Sequence, residues 1–247
     1  MRNALFASIA LLSACSGSDD NAQQNALPGG IYRGNGTVEV NPPSLFGIID
    51  EHGVARFLHT INPPTSNTPS VISPTSISLS GNSFSTPYVE FLEPQNDTTN
   101  GTATGTVTSR SGIVVTLSGG TGNTSTYDLA FQSSSYNVPA SFATLAGTWS
   151  FSYGNPAVAG QMVFNATGTL SGTDAAGCNY SGSLAIPAPA FNAYDVSLTS
   201  SCIEGPLTGL AAFFPQTATQ SPSILFIVSG VNAALGLNLQ LVNAGPS

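Results

Sequence analysis

The most constraining feature of this sequence is a short-range alternation of apolar and polar residues that continues from Gly29 almost to the carboxyl end. In residues 126–131 (TYDLAF) an apolar side chain stands at every second position, and in residues 235–241 four leucines alternate with Gly, Asn and Gln. Because successive side chains of a β-strand point to opposite faces, each segment puts one face on a core and the other toward water. No stretch has the spacing of an amphipathic helix, so the sequence predicts an all-β protein.

The alternating segments form two halves of about eight predicted antiparallel strands each. Both halves open with a glycine followed two positions later by an aromatic residue, in Gly-Ile-Tyr at 30–32 and Gly-Thr-Trp at 147–149, which indicates an internal duplication. We place an N-terminal domain at residues 29–135 and a C-terminal domain at residues 145–247. Eight strands in about a hundred residues can close into an up-and-down barrel that has no exposed edges, and a β-sandwich is the alternative.

Two segments of the first half are predicted to be long surface loops. Residues 62–74 contain four prolines, which cannot pair in the interior of a sheet. Residues 93–100 are polar and acidic and lack apolar alternation. Shorter turn signals of Gly, Asn and Asp separate the other predicted strands.

The first residues have the pattern of a secretory signal. One positive charge at Arg2 precedes an apolar stretch over residues 4–12, and small residues follow before Cys15. The apolar stretch is shorter than the roughly 20 residues that a membrane-spanning helix needs. We therefore assign residues 1–14 to a signal peptide and the polar residues 15–28 to a flexible tether.

The sequence Leu12-Ser13-Ala14-Cys15 resembles the lipobox of bacterial lipoproteins. The resemblance implies cleavage before Cys15 and acylation of that cysteine, with palmitate among the chains. Each buried methylene contributes about 0.8 kcal/mol, so several chains would anchor the protein stably without a spanning helix. Ser16 follows the cysteine, where lipoproteins kept in the inner membrane carry aspartate, and this favours the outer membrane, facing the periplasm or the cell surface.

The other two cysteines are expected to pair with each other. Cys15 accounts for the odd cysteine of an exported protein, which leaves Cys178 and Cys202 in an oxidising compartment. A disulfide between them would close a loop of just over twenty residues and stabilise the fold by about 3 kcal/mol. Two separate buried thiols are the alternative.

Charge excludes one class of partner. Charged residues make up 6% of the chain, lysine is absent, and three arginines remain beside twelve acidic residues once Arg2 leaves with the leader. Three arginines cannot neutralise several phosphates, and the sequence therefore excludes nucleic-acid binding. The same excess of acidic residues argues against electrostatic docking on anionic lipid. The oligomeric state stays open.

Residues able to carry catalysis are scarce. The two histidines, His52 in a predicted turn and His59 at a strand end, have no Cys or acidic cluster at metal-ligand spacing around them, and we expect both to be solvated turn residues. The chain also lacks the G-x-S-x-G elbow of serine hydrolases.

The carboxylates are also poorly placed for acid–base work. Asp50 and Glu51 are adjacent and should point apart, and Glu90 and Glu93 flank a predicted loop. We therefore expect a protein that is not an enzyme and that uses no metal or cofactor.

The Gly147-Thr148-Trp149 segment resembles the first-strand motif of lipocalins. Together with the lipobox and the strand count, it makes the chain similar to exported lipoproteins built from tandem lipocalin-like or transferrin-binding-protein-like barrels. The sequence departs from lipocalins in one respect, since no arginine or lysine occurs after Ser141 to pack over Trp149. This departure puts transfer of their ligand binding in doubt.

Two functions follow from these features. In the first, the loops at 62–74 and 93–100 contact an envelope or host protein or polymer. In the second, the C-terminal barrel carries a small apolar ligand in a pocket. The possible lining residues of that pocket, for which core packing is the plain alternative, are Trp149, Phe164, Tyr180, Tyr194 and Phe213.

Overall fold

The structure is a computed structural model that describes residues 28–36, 44–60, 70–92, 97–119, 124–154 and 156–242. The first eight strands form a closed antiparallel barrel, the N-terminal barrel, in which each strand pairs with its neighbour in sequence and the last pairs with the first. These strands are β1 (Gly30–Gly36), β2 (Ser44–Ile49), β3 (Ala55–Thr60), β4 (Ser70–Pro74), β5 (Ser83–Leu92), β6 (Asp97–Thr108), β7 (Gly112–Gly119) and β8 (Thr124–Phe131).

The next eight strands form a second closed barrel, the C-terminal barrel, with the same up-and-down order. Its strands are β9 (Gly147–Tyr153), β10 (Val158–Phe164), β11 (Thr169–Asp174), β12 (Asn179–Ala185), β13 (Tyr194–Ser200), β14 (Ile203–Phe214), β15 (Ser223–Ser229) and β16 (Ala234–Leu241). The all-β class and the tandem barrels are confirmed, and the alternative of a sandwich is wrong because both sheets close on themselves.

Two short helices link the barrels, α1 (Ser133–Tyr136) and α2 (Phe142–Leu145). Each is a single turn, too short to show an amphipathic stripe in the sequence. Tyr136 and Leu145 are fully buried, so the linker is packed against the barrels. In the part of the chain that the structure describes, no helix is long and apolar enough to cross a membrane.

Both predicted long loops are partly wrong. Ser70–Pro74 is strand β4, in which Ile72 pairs with Phe57 of β3 and the proline takes the last position. Residues 97–100 belong to β6, which pairs along the whole length of β5. Residues 61–69 and 93–96 lie outside the described residues.

The interior of the N-terminal barrel is filled by its own side chains. Sixteen buried residues from all eight strands and the turn after β4 form its core. A cavity of about 10 Å³ remains among them, which is room for one water molecule at most. The C-terminal barrel has a larger core of twenty buried residues. Burial of these apolar side chains is the main stabilising contribution to each barrel.

The barrels lie side by side. The outer faces of β2, β3 and β4 pack on the outer faces of β14, β15 and β16. A third apolar cluster fills this interface, with Ile48, Leu58 and Val71 on one side and Leu210, Leu225 and Ile227 on the other. Among the residues that the structure describes, two polar contacts cross it, from the Arg56 guanidinium to the Thr208 carbonyl at 3.4 Å and from Ser229 Oγ to Ser73 Oγ at 3.0 Å.

The first strands of the two barrels hold equivalent aromatic residues in the same way. The hydroxyl of Tyr32 donates to the carbonyl of Pro28 at 3.0 Å, and the indole N–H of Trp149 donates to the carbonyl of Leu145 at 2.8 Å. Each acceptor stands four residues before its donor, and each ring is almost fully buried. This correspondence supports the internal duplication.

Cys178 and Cys202 form the predicted disulfide. It joins the turn between β11 and β12 to the turn between β13 and β14, which lie at the same end of the C-terminal barrel. Two hairpins are therefore held together across three consecutive strand pairs.

Candidate functional site

The aromatic residues predicted to line a pocket in the C-terminal barrel lie in its core. Trp149, Phe164, Tyr180 and Tyr194 are each at most 4% exposed, and Phe213 is partly buried against them. Trp149 and Phe213 pack edge-on at 6.2 Å between ring centroids, and similar contacts join Tyr180 to Phe151 and Phe164 to Phe226. The structure brings these residues together as packing partners.

A carboxylate closes one end of the C-terminal barrel. Asp174 Oδ2 accepts hydrogen bonds from the hydroxyls of Tyr153 at 2.8 Å and Tyr180 at 2.7 Å, and Oδ1 accepts from the backbone N–H groups of Ala176 and Cys178. Burial alone raises the pKa of the Asp174 carboxyl, but these four donors lower it below its ordinary value. Both oxygens of Asp174 thus accept hydrogen bonds from groups at this end of the barrel, so Asp174 has a structural role.

A second polar cluster lies inside the N-terminal barrel, at the end where β3 stops and β4 begins. Glu90 Oε1 accepts from Ser70 Oγ at 2.7 Å and lies 2.9 Å from His59 Nδ1, while His59 Nε2 lies 2.8 Å from the Tyr127 hydroxyl. With the proton assigned to Nδ1, a chain of donors leads from Tyr127 through the imidazole to Glu90. We call these four residues the mouth cluster.

The mouth cluster corrects the prediction for His59. Its side chain is 15% exposed and that of Glu90 is 13% exposed, so neither is a solvated turn or loop residue. Burial raises the pKa of Glu90, but the hydrogen bonds from His59 and Ser70 and the nearby imidazole lower it below its ordinary value. Glu90 is therefore ionised at neutral pH.

The remaining candidates are held apart. His52 is 66% exposed in its turn, as predicted, 3.5 Å from Asp50. Asp50 accepts from the backbone N–H groups of residues 52 and 54, while Glu51 accepts from Arg110 at 2.9 Å and from the Tyr136 hydroxyl at 2.8 Å. The two carboxylates thus have separate partners and do not form a catalytic pair. Glu93 lies outside the described residues.

The described residues contain no group of three or more His, Cys, Asp or Glu side chains that could hold a metal ion. His59 in particular has a partner on each ring nitrogen, at 2.9 Å and 2.8 Å. A ligand could reach either nitrogen only by displacing Glu90 or Tyr127.

An open cleft with a volume of about 520 Å³ lies between the two barrels. It lies beside the apolar interface, between the outer faces of β1 to β3 and the strands β14 to β16. Its lining comes from both barrels, the linker and the segment between β14 and β15: Arg33, Phe46, Leu58, Gln132, Ser135, Phe214, Gln220, Ser221, Ser223, Leu225, Asn238 and Gln240. This volume is within the range of small-molecule sites, about 300 to 1,000 Å³.

The chemistry of the cleft is polar with an apolar base. The rings of Phe46 and Phe214 meet at 5.7 Å between centroids across the two barrels. Four carboxamides and three serine hydroxyls surround this apolar contact, and Arg33 is the one charged side chain among the described lining residues. Such a surface can both donate and accept hydrogen bonds at many points.

Sequence reasoning missed the cleft because its residues come from segments up to about two hundred positions apart and lie on faces predicted to meet water. One signal could have indicated the interface. The runs SLFGII in β2 and SILFIV in β15 are apolar on both faces, which is typical of a strand buried on two sides.

Comparisons with known proteins give little for this site. No protein-family model matches the chain, and no curated protein matches it significantly. Among solved structures, the chain is similar to a crystal structure described as a "putative outer membrane protein" from Bacteroides fragilis, with 10% identity, 89% of this chain and 99% of that chain covered, and a TM-score of 0.27. A TM-score this low supports no transfer of function.

Proposed function

We propose that this protein is a lipid-anchored binding protein of the cell envelope, which takes a polar ligand in the cleft between its barrels and catalyses no reaction. The observation that carries the proposal is the contrast between a filled barrel interior, with about 10 Å³ left, and an open cleft of about 520 Å³. Ligand sites are concave, and the cleft between the barrels is a concave surface of suitable volume.

The anchor in this proposal rests on the sequence. The signal peptide, Cys15 and most of the tether lie outside the described residues. Acylation of Cys15 and the serine after it place the protein at the outer membrane, and the two barrels then follow a polar tether. A binding protein held in this way samples ligands near the membrane surface.

The absence of enzymatic function is also a proposal. It is supported by the mouth cluster, in which the imidazole is held between Glu90 and Tyr127, and by His52, which stands exposed in a turn with Asp50 as its partner. No cofactor is part of the proposed function.

Larger partners belong to the proposal as well. Polar contacts made by segments 61–69 and 93–96 with an envelope or host protein or polymer would add to binding in the cleft. The alternative of a carrier for an apolar ligand in the C-terminal barrel has less support, because Trp149, Phe164 and Tyr194 pack tightly inside that barrel.

Filling the cleft tests the proposed function. Ser221 is an exposed lining residue, and Ser221→Trp should occupy the space, whereas Ser171→Trp puts the same side chain on the exposed outer face of β11. We expect a soluble fraction of envelope polysaccharides and their digests to raise the Tm of the wild type and of Ser171→Trp alike, and to leave that of Ser221→Trp unchanged.

The outcome that contradicts this function is equally clear. If the Ser221→Trp protein, folded by its circular dichroism spectrum, shows the same ligand-induced rise in Tm as the wild type, the ligand does not bind in the cleft. Absence of any rise in the wild type also counts against the proposal.

A further inference from the structure

The composition of the cleft narrows the chemical class of its ligand, and this inference rests on the proposed function. A hydrocarbon ligand would cover the lining carboxamides without giving their remaining donor and acceptor positions a partner, at a cost for each unpaired group. A ligand rich in hydroxyl groups can both donate to and accept from them. The cleft therefore favours a polyhydroxylated ligand over a lipid.

The carboxamides are arranged for such a ligand. Gln240 Nε2 donates to Asn238 Oδ1 at 3.2 Å, so these two amides stand side by side on β16. Gln132 Nε2 donates to the carbonyl of Ala130 at 3.0 Å, which fixes the plane of its amide at the other side of the cleft. Held amides lose less side-chain entropy on binding than free ones.

The apolar base fits the same class of ligand. Phe46 and Phe214 supply aromatic surface, and Leu58 and Leu225 extend it. A sugar ring has a C–H face that packs on such surface and a rim of hydroxyls that meets amides and serines. Polar groups around an apolar base are thus complementary to a short oligosaccharide.

Arg33 adds one requirement. Its side chain is exposed on β1, and it forms no ion pair with any residue in the described ranges. A guanidinium binds a carboxylate through two parallel hydrogen bonds, a geometry that a neutral hydroxyl cannot match. The chain has a net charge of −8, so it would repel a polyanion but tolerate a single acidic group next to Arg33.

We infer that the cleft binds a short oligosaccharide that carries one carboxylate, with the carboxylate paired to Arg33 and the sugar rings on Phe46 and Phe214. The other lining amides and hydroxyls bind the sugar hydroxyls. The acid sets the orientation of the ligand in the cleft, and the rings provide most of the contact surface.

Calorimetry on the mature acylated protein tests this inference, in a detergent without a sugar headgroup. The probes are 3′-sialyllactose and a xylotriose capped with one glucuronic acid, each as the free acid and as its methyl ester. The ester keeps every ring and removes only the charge. We expect at least one acid to bind about tenfold more tightly than its ester.

Variants locate the effect. Arg33→Gln should weaken binding of the acid about tenfold and leave binding of the ester unchanged, because the guanidinium has no ion-pair partner to lose among the described residues. Ser221→Trp should abolish binding of both forms, and Ser171→Trp should change neither. Sodium acetate, tested alone, should not bind measurably, since it lacks the rings.

Several results would overturn the inference. These are equal affinity for acid and ester with both probes, no binding of either acid, an Arg33→Gln protein that binds the acid as the wild type does, or binding that persists in Ser221→Trp. If the envelope fraction still raises the Tm in a manner sensitive to Ser221→Trp, only the ligand class is wrong. If that rise is also absent, the proposed function falls with it.

Discussion

At the scale of single residues, each barrel contains a carboxylate that is held by side-chain donors at one end. Glu90 accepts from Ser70 and His59 in the N-terminal barrel, and Asp174 accepts from Tyr153 and Tyr180 in the C-terminal barrel. In both cases hydrogen bonds keep the pKa below its ordinary value despite burial. Removing either charge should therefore affect stability and its pH dependence.

Glu90→Gln is the clearest test of this arrangement. A carboxyl with a lowered pKa stabilises the folded state above its ordinary pKa of 4.5, and the stabilisation is lost as pH falls through the lower folded-state value. We expect the variant to unfold with a free energy about 2 kcal/mol lower at neutral pH, and to lose less stability on acidification below about pH 5.

Urea unfolding over this pH range measures both effects. Glu204→Gln, at an exposed position on β14, is the matched control and should behave as the wild type. An identical pH dependence in Glu90→Gln and the wild type would contradict the account of the mouth cluster.

Cys15 carries a separate prediction about the anchor. We expect mass spectrometry of the protein from membranes to show a chain that begins at Cys15 with acyl groups attached, and Cys15→Ser to leave the precursor uncut with residues 1–14 present. Cys178 and Cys202, paired in the structure, should carry no acyl group. A stable, uncut and unacylated wild-type chain would refute the anchor.

The sequence could not predict the mouth cluster, although it identified both histidines. Tyr127 is 68 residues from His59 and Glu90 is 31 residues away, and their contact depends on the register of the five strand pairs that lead from β8 through β1 to β5. A one-residue shift in any pair would move the side chain to the opposite face of the sheet. No local pattern contains that information.

At the scale of strands and turns, alternation was a good guide where apolar residues were present and a poor one where they were not. Residues 97–102 (DTTNGT) have no apolar side chain, yet they form half of β6. Threonine favours pleated surfaces, and pairing along all of β5 supplies the hydrogen bonds that fix the strand. Tertiary pairing thus replaced the missing hydrophobic signal, and a loop was predicted wrongly.

The disulfide belongs to this scale because it links two hairpin turns. It closes a loop with a sequence separation of 24 residues, and on a loop-entropy estimate its loss should lower the unfolding free energy by about 3 kcal/mol. We expect the Cys178→Ser, Cys202→Ser double variant to show this loss in urea unfolding. A reductant should destabilise the wild type by the same amount and leave the double variant unchanged. If the reductant changes the stability of neither protein, the prediction is wrong.

At the scale of the whole molecule, the arginines of the N-terminal barrel all face the C-terminal barrel. Arg33 lines the cleft, Arg56 is buried against Thr208, and the Arg110 guanidinium lies 4.5 Å from the centroid of the Phe191 ring. After residue 110 the sequence contains no Lys, Arg or His. The C-terminal barrel therefore has no basic side chain, and it contacts these arginines through a backbone carbonyl and an aromatic ring. Charge placement therefore supports the observed docking of the barrels.

The tandem barrels could be predicted because strand alternation is local, whereas their docking could not. The apolar outer faces of β2 and β15 indicated burial on two sides, but nothing in the sequence indicated which face would cover which. The cleft is a consequence of that docking, so it was beyond the reach of sequence reasoning.

The central claim is that the two barrels pack side by side through β2 to β4 and β14 to β16, since the cleft exists only in that arrangement. Ser73 and Ser229 face each other across the interface with their Oγ atoms 3.0 Å apart. In a Ser73→Cys, Ser229→Cys protein, mild oxidation followed by peptide mapping should find a 73–229 disulfide in most chains, with Cys178–Cys202 intact. A control protein with Ser171→Cys and Ser229→Cys should form no disulfide between those two positions. The account is contradicted if the 73–229 disulfide does not form, or if it forms no more often than the 171–229 disulfide of the control.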